Sequence, residues 1–152
     1  MLAVFLDIDG VLNQGAGPGT PELVARLNEI TDRTGAVIVV HSSWRWQYDA
    51  HQLHTFLTSW GVTGNVFDAC KKPEDLRIDK KMPMSSRRDR PLAIQNWLDD
   101  HPGLVRQFVI LDDSPNLGQF IGTPSFIRTE QRVGLTDEHV DRAVLHLKGV
   151  TW

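Results

Sequence analysis

The feature that most restricts the fold of this chain is the regular alternation of short apolar runs with amphipathic segments. Several of the runs are apolar on both faces, which is typical of strands buried in a parallel sheet. Strands that alternate with helices predict β-α-β units. We therefore predict an α/β fold with three α/β/α layers and a mainly parallel, five-stranded sheet. The predicted strands are residues 2–8, 36–41, 65–69, 107–111 and 125–129.

Four amphipathic segments predict the helices. The first has Thr20 as N-cap, Pro21 in the first turn and Gly35 at its end. The others are predicted over residues 47–60, over residues 91–101, and from Thr136 to a C-terminal cap at Gly149. Residues 71–90, here called the basic loop, fit neither pattern. A stretch this long without structure is either a functional loop or an error in the assignment of its neighbours.

Length and composition predict one soluble domain over residues 1–152. The apolar fraction of 41% and the charged fraction of 23% are those of a globular protein. No apolar run reaches the ~18 residues that a membrane span needs, and the apolar start meets Asp7 too soon for a signal peptide. Cys70 is the single cysteine, which excludes an internal disulfide and agrees with a cytoplasmic location.

The net charge of −3 hides a local excess of positive charge in the basic loop. Residues 71–90 hold eight Lys or Arg against four Asp or Glu. Such a loop can attract phosphate-bearing partners, or it can be an ordinary solvated charged loop. Both interpretations stay open at this point.

Polar side chains follow three of the predicted strands where each strand ends. Because the carboxyl ends of parallel strands share one edge of a sheet, where ligands bind, these chain positions are expected to converge. The pairs are Asp7 with Asp9, Ser42 with Ser43, and Asp112 with Asp113.

Strand alternation predicts that Asp7 and Asp9 project to the same side. Two carboxylates this close raise one another's pKa unless a cation or a shared proton lies between them. Oxygen ligands favour Mg²⁺, with Asp113 as a further ligand and Asp112 orienting its neighbours. Gly10 permits a sharp turn after the acids.

Neither of two common phosphate or metal motifs accounts for the acidic pair. An EF-hand calcium loop needs glycine at its sixth position and Glu at its twelfth, where this chain has Leu12 and Pro18. A phosphate-binding P-loop needs Gly-Lys-Ser/Thr, which occurs nowhere in the chain. An isolated Asp-x-Asp is common in turns. A functional site is therefore predicted from the polar residues at all three strand ends together.

The three clusters resemble motifs of the haloacid dehalogenase superfamily. Its first motif is similar to Phe-Leu-Asp-Ile-Asp-Gly-Val-Leu-Asn at 5–13, its second to Val-Val-His-Ser at 39–42, and its fourth to Val-Ile-Leu-Asp-Asp at 109–113. More narrowly, Ser-Ser-Trp-Arg at 42–45 and Ile-Gln-Asn-Trp-Leu at 94–98 resemble compact domains of bacterial, phage and RNA-repair proteins.

The resemblance implies a Rossmann-like fold and a phosphatase. In it, Asp7 is the nucleophile that forms an aspartyl-phosphate, and Asp9 is the general acid and base. Mg²⁺ is the implied cofactor, and a phosphate monoester is the implied substrate. The implied metal residues are Asp7, Asp9, Asp112 and Asp113, with Asp9 contributing its backbone carbonyl; the implied phosphate-binding residues are Ser42, Ser43, Arg45 and Arg90.

The third motif departs from the family pattern, which usually has a lysine before the helix that precedes the fourth motif. Arg90-Pro91 occupies that place. Arginine keeps a permanent charge and can bind phosphate through two donors, so the role can survive the exchange. The sequence leaves Arg87, Arg88 and Lys81 open as other carriers of this charge.

The spacing of the motifs leaves no room for a large cap domain, since about 30 residues separate the first two. An open site suits substrates too large to be enclosed, such as polynucleotide ends or phosphoproteins, although nucleotides stay candidates. Trp44 and Trp46 follow the second motif and are expected either to stack on a base or to pack in the core. The alternative to an enzyme is a degenerate domain that binds phosphate-bearing ligands or protein partners. The sequence leaves the oligomeric state open.

Overall fold

A computed structural model of the chain describes residues 1–149, without the side chain of Ser85. Within this part of the chain, five parallel strands form one sheet. The strands are β1 (Leu2–Leu6), β2 (Val37–Val40), β3 (Val66–Ala69), β4 (Gln107–Asp112) and β5 (Phe126–Arg128), and their order is β3-β2-β1-β4-β5. The predicted α/β class, the five strands and the parallel sheet are confirmed.

The described residues contain four α-helices: α1 (Pro21–Thr34), α2 (Ala50–Ser59), α3 (Asp89–Asp100) and α4 (Asp137–Leu147). The first three each connect two successive strands, whereas α4 follows β5. Thr136 caps α4, and its side chain accepts a hydrogen bond from His139 N. Gly35 ends α1 in the left-handed conformation, where φ is 72° and glycine is favoured. Helix α3 begins at Asp89, two residues before its predicted start at Pro91, so it includes Arg90.

Alternation along β1 divides the interior into two cores. Val4 and Leu6 pack into one core with α1, α2 and α4, whereas Ala3 and Phe5 pack into the other with α3. The sheet therefore lies between two helical layers, as predicted. Successive residues of a strand face opposite helical layers. The same alternation determines which layer the residues at the strand ends face.

The register of the three central strands brings their carboxyl ends together. Leu6 of β1 pairs with Val40 of β2 and with Leu111 of β4. The next residues along the chain are Asp7, just after β1, His41, just after β2, and Asp112, the last residue of β4. By alternation they follow Phe5, Val39 and Ile110, which belong to the core that packs against α3. The first turn of α3 carries Arg90 toward the same edge, since Arg90 contacts Asp7 and Asp112.

The basic loop is an ordered segment with little regular structure. It contains two short 3-10 helices, Pro73–Asp75 and Met84–Arg87. Asn96 of α3 holds it by accepting from Arg77 N and donating to Arg77 O, at 2.8 and 3.0 Å. Leu76 also packs against the core below α3. The segment is thus a genuine loop, apart from the two residues that belong to α3.

Two further expectations concern the whole chain. None of the helices in residues 1–149 has the length and apolar character needed to cross a membrane. The single domain over residues 1–152 stays a prediction, and its last three residues lie outside the described part. Cys70 is buried below the sheet, where desolvation raises the pKa of its thiol to about 12. The thiol is therefore a packing group without nucleophilic character at neutral pH.

Candidate active site

Three carboxylates meet at the carboxyl edge of the sheet. Asp7, Asp112 and Asp113 each offer one oxygen, and these oxygens all lie within 4.8 Å of one another. Asp7 is 1% exposed and Asp112 is fully buried, while Asp113 is half-buried. The convergence of residues separated by more than a hundred positions is the central sequence prediction, and the geometry brings these three together.

Asp7 is the carboxylate that the protein leaves unsatisfied. Both of its oxygens are buried and accept no hydrogen bond within the described residues. Arg90 Nη1 lies 3.0 Å from Asp7 Oδ2, which makes an ion pair, and the same nitrogen donates to both oxygens of Asp112. Burial raises the pKa of Asp7, the charge of Asp112 raises it further, and Arg90 opposes both effects. An anion in this position calls for a cation or an electrophile.

Asp112 has the opposite environment, because protein donors occupy its oxygens. Arg90 Nη1 donates to both oxygens at 2.6 and 2.7 Å, and Ser114 N donates to Oδ1 at 2.8 Å. Burial raises the pKa of Asp112, but the hydrogen bonds from His41 and Arg90 and the charge of Arg90 outweigh it and lower the pKa. Asp112 is thus a permanent anion that fixes Arg90 beside Asp7.

His41 is a site residue to which the motifs alone assign no role. Its Nε2 lies 2.7 Å from Asp112 Oδ2, and its Nδ1 is buried without a hydrogen-bond partner. Burial lowers the pKa of His41, so we assign a neutral ring whose Nε2–H donates to Asp112. The available signal was a polar residue at the end of an otherwise apolar strand.

Gly10 allows the turn that follows β1 to pack closely against Asp113. Its φ is +80°, and a Cβ at this position would lie 2.3 Å from Asp113 Oδ2. Thr129 Oγ1 donates to Gly10 O at 2.7 Å and fixes the turn from the side of β5. Glycine is therefore required here both by its backbone conformation and by the space that Asp113 occupies.

Asp9 lies apart from the three clustered carboxylates. Its Oδ1 accepts from Asn13 Nδ2 at 2.8 Å, and its Oδ2 accepts from Trp44 Nε1 at 3.0 Å. Asp9 is not among the carboxylates whose oxygens lie within 4.8 Å of one another. Asn13 and Trp44 are further residues of the site, and no pattern in the chain indicates these contacts.

The donor set fits a small hard cation. Asp7 presents two buried oxygens without donors, and the half-buried Asp113 adds another carboxylate beside them. Mg²⁺ prefers oxygen ligands of this kind, usually from one or two carboxylates together with water and substrate phosphate. Asp112 fits the role of a metal ligand less well, because Arg90 and His41 already occupy its oxygens.

A comparison with known families supports the resemblance seen in the motifs. The family described as the HAD domain in Swiss Army Knife RNA repair proteins matches residues 3–140. The chain belongs to this haloacid dehalogenase (HAD) family. No curated protein and no solved structure gives a significant match. Membership supports phosphatase-like hydrolase chemistry on phosphate-bearing substrates, and the carboxylate cluster is compatible with the Mg²⁺ dependence general in HAD proteins.

The second HAD motif places two serines above the sheet. Ser42 is 1% exposed, and its Oγ accepts from Trp44 N at 3.2 Å, which starts the 3-10 helix Ser43–Trp46. Ser43 is half-buried and lines cavities that also contain Asp9 and Arg90. Both serines therefore lie at the edge where the carboxylates meet.

Arg45 is placed differently from the expectation that it binds phosphate. Its side chain is 1% exposed and donates to the backbone carbonyls of His41, Ser42 and Lys71, at 2.5, 3.1 and 2.9 Å. It also forms an ion pair with Asp89. Four of its five N–H donors are thus used inside the protein, and these contacts hold the backbone of the second motif.

Of the cations considered for the third HAD motif, Arg90 contacts both Asp7 and Asp112. Arg87 instead donates to Met82 O and Lys80 O within the basic loop. Arg88 and Lys81 are exposed, and Arg88 lines a cavity next to Arg90.

Replacement of Gly10 by alanine tests how tightly the first motif packs on Asp113. Gly35 is a matched control, because its φ of +72° is similar but nothing lies within 4 Å of its missing Cβ. We expect Gly35→Ala to reduce the free energy of unfolding by about 1 kcal/mol, from backbone strain. Gly10→Ala should cost about 1–3 kcal/mol more, from overpacking. Urea denaturation measures both, and equal losses would contradict the crowding at Asp113.

Replacement of Asp7 by asparagine tests the cost of its buried charge. The raised pKa means that folded Asp7 binds a proton more readily than unfolded Asp7, so ionisation destabilises the metal-free fold as pH rises above 3.8. We expect Asp7→Asn to raise the metal-free free energy of unfolding at pH 7 by on the order of 1 kcal/mol. The gain should vanish below pH 3.8.

The Asp7→Asn variant also tests whether Mg²⁺ binds at Asp7. Mg²⁺ should stabilise the wild type, because it binds the folded state, and should stabilise Asp7→Asn much less. Thermal unfolding with and without Mg²⁺ measures this difference. Equal stabilisation of both proteins would place the ion elsewhere.

Proposed function

We propose that this chain is a Mg²⁺-dependent phosphatase that hydrolyses phosphate monoesters through an aspartyl-phosphate intermediate on Asp7. The observation that carries the proposal is the unsatisfied Asp7 carboxylate, buried beside Arg90 at the sheet edge. A nucleophile must be free of competing donors and close to positive charge, which lowers the repulsion between two anions. Asp7 meets both conditions.

In the first step an Asp7 oxygen bonds to phosphorus and the ester P–O bond breaks. Asp9 gives its proton to the leaving oxygen, which departs as an alcohol. In the second step Asp9 takes a proton from water, the water oxygen bonds to phosphorus, and Asp7 is released as a carboxylate. Asn13 and Trp44 donate to separate oxygens of Asp9, so its carboxyl group is held in one orientation.

The remaining residues neutralise and orient the phosphoryl group. Arg90, held by Asp112, would pair with its oxygens, and Ser42 and Ser43 would donate hydroxyl hydrogen bonds. Asp7, Asp113 and the backbone carbonyl of Asp9 would hold Mg²⁺. When bound, Mg²⁺ supplies charge that offsets the negative phosphoryl oxygens. Asp112, which was expected to bind metal, serves mainly to fix Arg90.

Nucleotides and nucleic-acid ends are the substrates that we propose. The family is described from RNA repair proteins, and such ends carry phosphate monoesters. Cavities of about 320 and 360 Å³ open beside Asp9 and Arg90, within the range of small-molecule sites. A cytoplasmic location remains part of the same proposal.

Hydrolysis of a generic aryl phosphate tests the activity. We expect turnover with Mg²⁺, loss with EDTA, and a fall of at least about 10³-fold in Asp7→Asn, because the nucleophile is removed. Asp32→Asn is a matched control, since Asp32 is exposed on α1, and it should keep wild-type turnover. Absence of turnover across aryl, nucleotide, sugar and peptide phosphates would favour the degenerate binding domain instead.

The basic loop offers a test of polynucleotide binding. We expect Lys80→Glu with Lys81→Glu to lower kcat/KM for phosphorylated oligonucleotides several-fold at low salt, because long anions are attracted by the loop's charge. Aryl phosphate turnover should stay unchanged. Arg87 is left in place because it bonds to the loop backbone.

A second charge reversal controls for net charge. Arg106→Glu with Lys148→Glu alters the charge equally on exposed residues, and Arg106 precedes β4 at the amino edge of the sheet. This pair should have little effect on oligonucleotides. Equal losses for the loop pair and the control pair, or for long and small substrates, would exclude a guiding role of the loop.

A further inference from the structure

Trp46 occupies an unusual position beside the candidate active site. It is 51% exposed at the end of the 3-10 helix Ser43–Trp46. It lines two adjoining cavities, one of about 320 Å³ with Asp9 and Tyr48, and one of about 360 Å³ with Arg88 and Arg90. A large indole left open between two cavities offers a flat apolar surface to whatever enters them.

The neighbouring Trp44 is used differently. Its ring packs at 5.3 Å from that of Trp60 and near those of Tyr48 and Phe56, and its Nε1 donates to Asp9. Trp44 is therefore held by its aromatic neighbours and positions Asp9 through this hydrogen bond. Of the two tryptophans that follow the second motif, Trp46 is the exposed one.

The chemistry of Asp9 fixes which part of a substrate reaches Trp46. A general acid must lie within hydrogen-bond distance of the leaving oxygen. The rest of the leaving alcohol must then start next to Asp9, and the cavity that Asp9 lines is also lined by Trp46 and Gln47. Through this cavity the leaving group is directed toward the indole.

We propose that Trp46 is a specificity-determining residue that stacks on the nucleobase of the leaving nucleoside, so that the preferred substrates are phosphate esters of nucleosides. This inference rests on the phosphatase function proposed above. A nucleobase presents a π-face to the indole and polar edges that the amide of Gln47 can bind. Arg88, in the adjoining cavity, supplies positive charge for the next phosphate of a strand. A phosphotyrosine peptide would stack its ring on Trp46 but would use neither the Gln47 amide nor the Arg88 charge.

Kinetics on paired substrates test the inference. Adenosine 5′-monophosphate and ribose 5-phosphate share the phosphate and the sugar, and the second lacks the base. We expect Trp46→Ala to lower kcat/KM for the nucleotide about tenfold, mainly through KM, while ribose 5-phosphate changes less than about twofold. Trp46→Phe should keep most of the nucleotide activity. Trp46→Leu, which retains apolar volume without a π-face, should behave like Trp46→Ala.

Two outcomes would overturn the inference. Equal losses on both substrates would show a structural role of Trp46. A phosphotyrosine peptide that is preferred over the nucleotide, with the same dependence on Trp46, would assign the cavity to another class of substrate.

A binding measurement separates this inference from the phosphatase proposal. Calorimetric titration of adenosine 5′-monophosphate into Asp7→Asn with Mg²⁺ should give binding that weakens about tenfold when Trp46→Ala is added. If the wild type hydrolyses neither substrate, the proposed activity fails, while this titration still decides the stacking role. Unchanged nucleotide binding in the double variant would overturn the stacking role by itself.

Discussion

The arrangement depends on one guanidinium held between two buried carboxylates. Arg90 donates to both oxygens of Asp112 and lies 3.0 Å from Asp7, in a place where either carboxylate alone would be strongly unfavourable. Burial opposes the charge of Arg90, but Asp7 and Asp112 raise its pKa and keep it a cation. The asymmetry matters most, because Asp112 takes the hydrogen bonds and leaves Asp7 with charge nearby and no donor.

The register of the parallel strands places the two carboxylates on either side of Arg90. Three neighbouring parallel strands end at the same level, so that Asp7, His41 and Asp112 follow one another across the sheet. Helix α3 packs on that face and begins just where its first turn can place Arg90 over the acids. The apolar core therefore determines the distances in the polar site, since shifting any one strand by a residue would turn its polar end to the other face.

The sequence was sufficient for the fold because the apolar runs and helix caps are local signals, and they located all five strands within a few residues. It was also sufficient for the meeting of Asp7, Asp112 and Asp113, which follows from parallel topology. The sequence did not predict how individual side chains are oriented within the site. The burial of Arg45 depends on carbonyls of three residues, and the bond from Trp44 to Asp9 depends on how a 3-10 helix crosses the end of β1. Charge and proximity in the chain do not encode such orientations.

The buried guanidinium of Arg45 has a consequence for how this edge of the protein can move. It ties the carbonyls of His41 and Ser42 to Asp89, which stands one residue before Arg90. The hydroxyls that follow β2 and the cation at the start of α3 are thereby joined through one rigid side chain. A shift of the serine turn would carry the start of α3 with it, so these two segments are expected to act as one preassembled body and not to move separately.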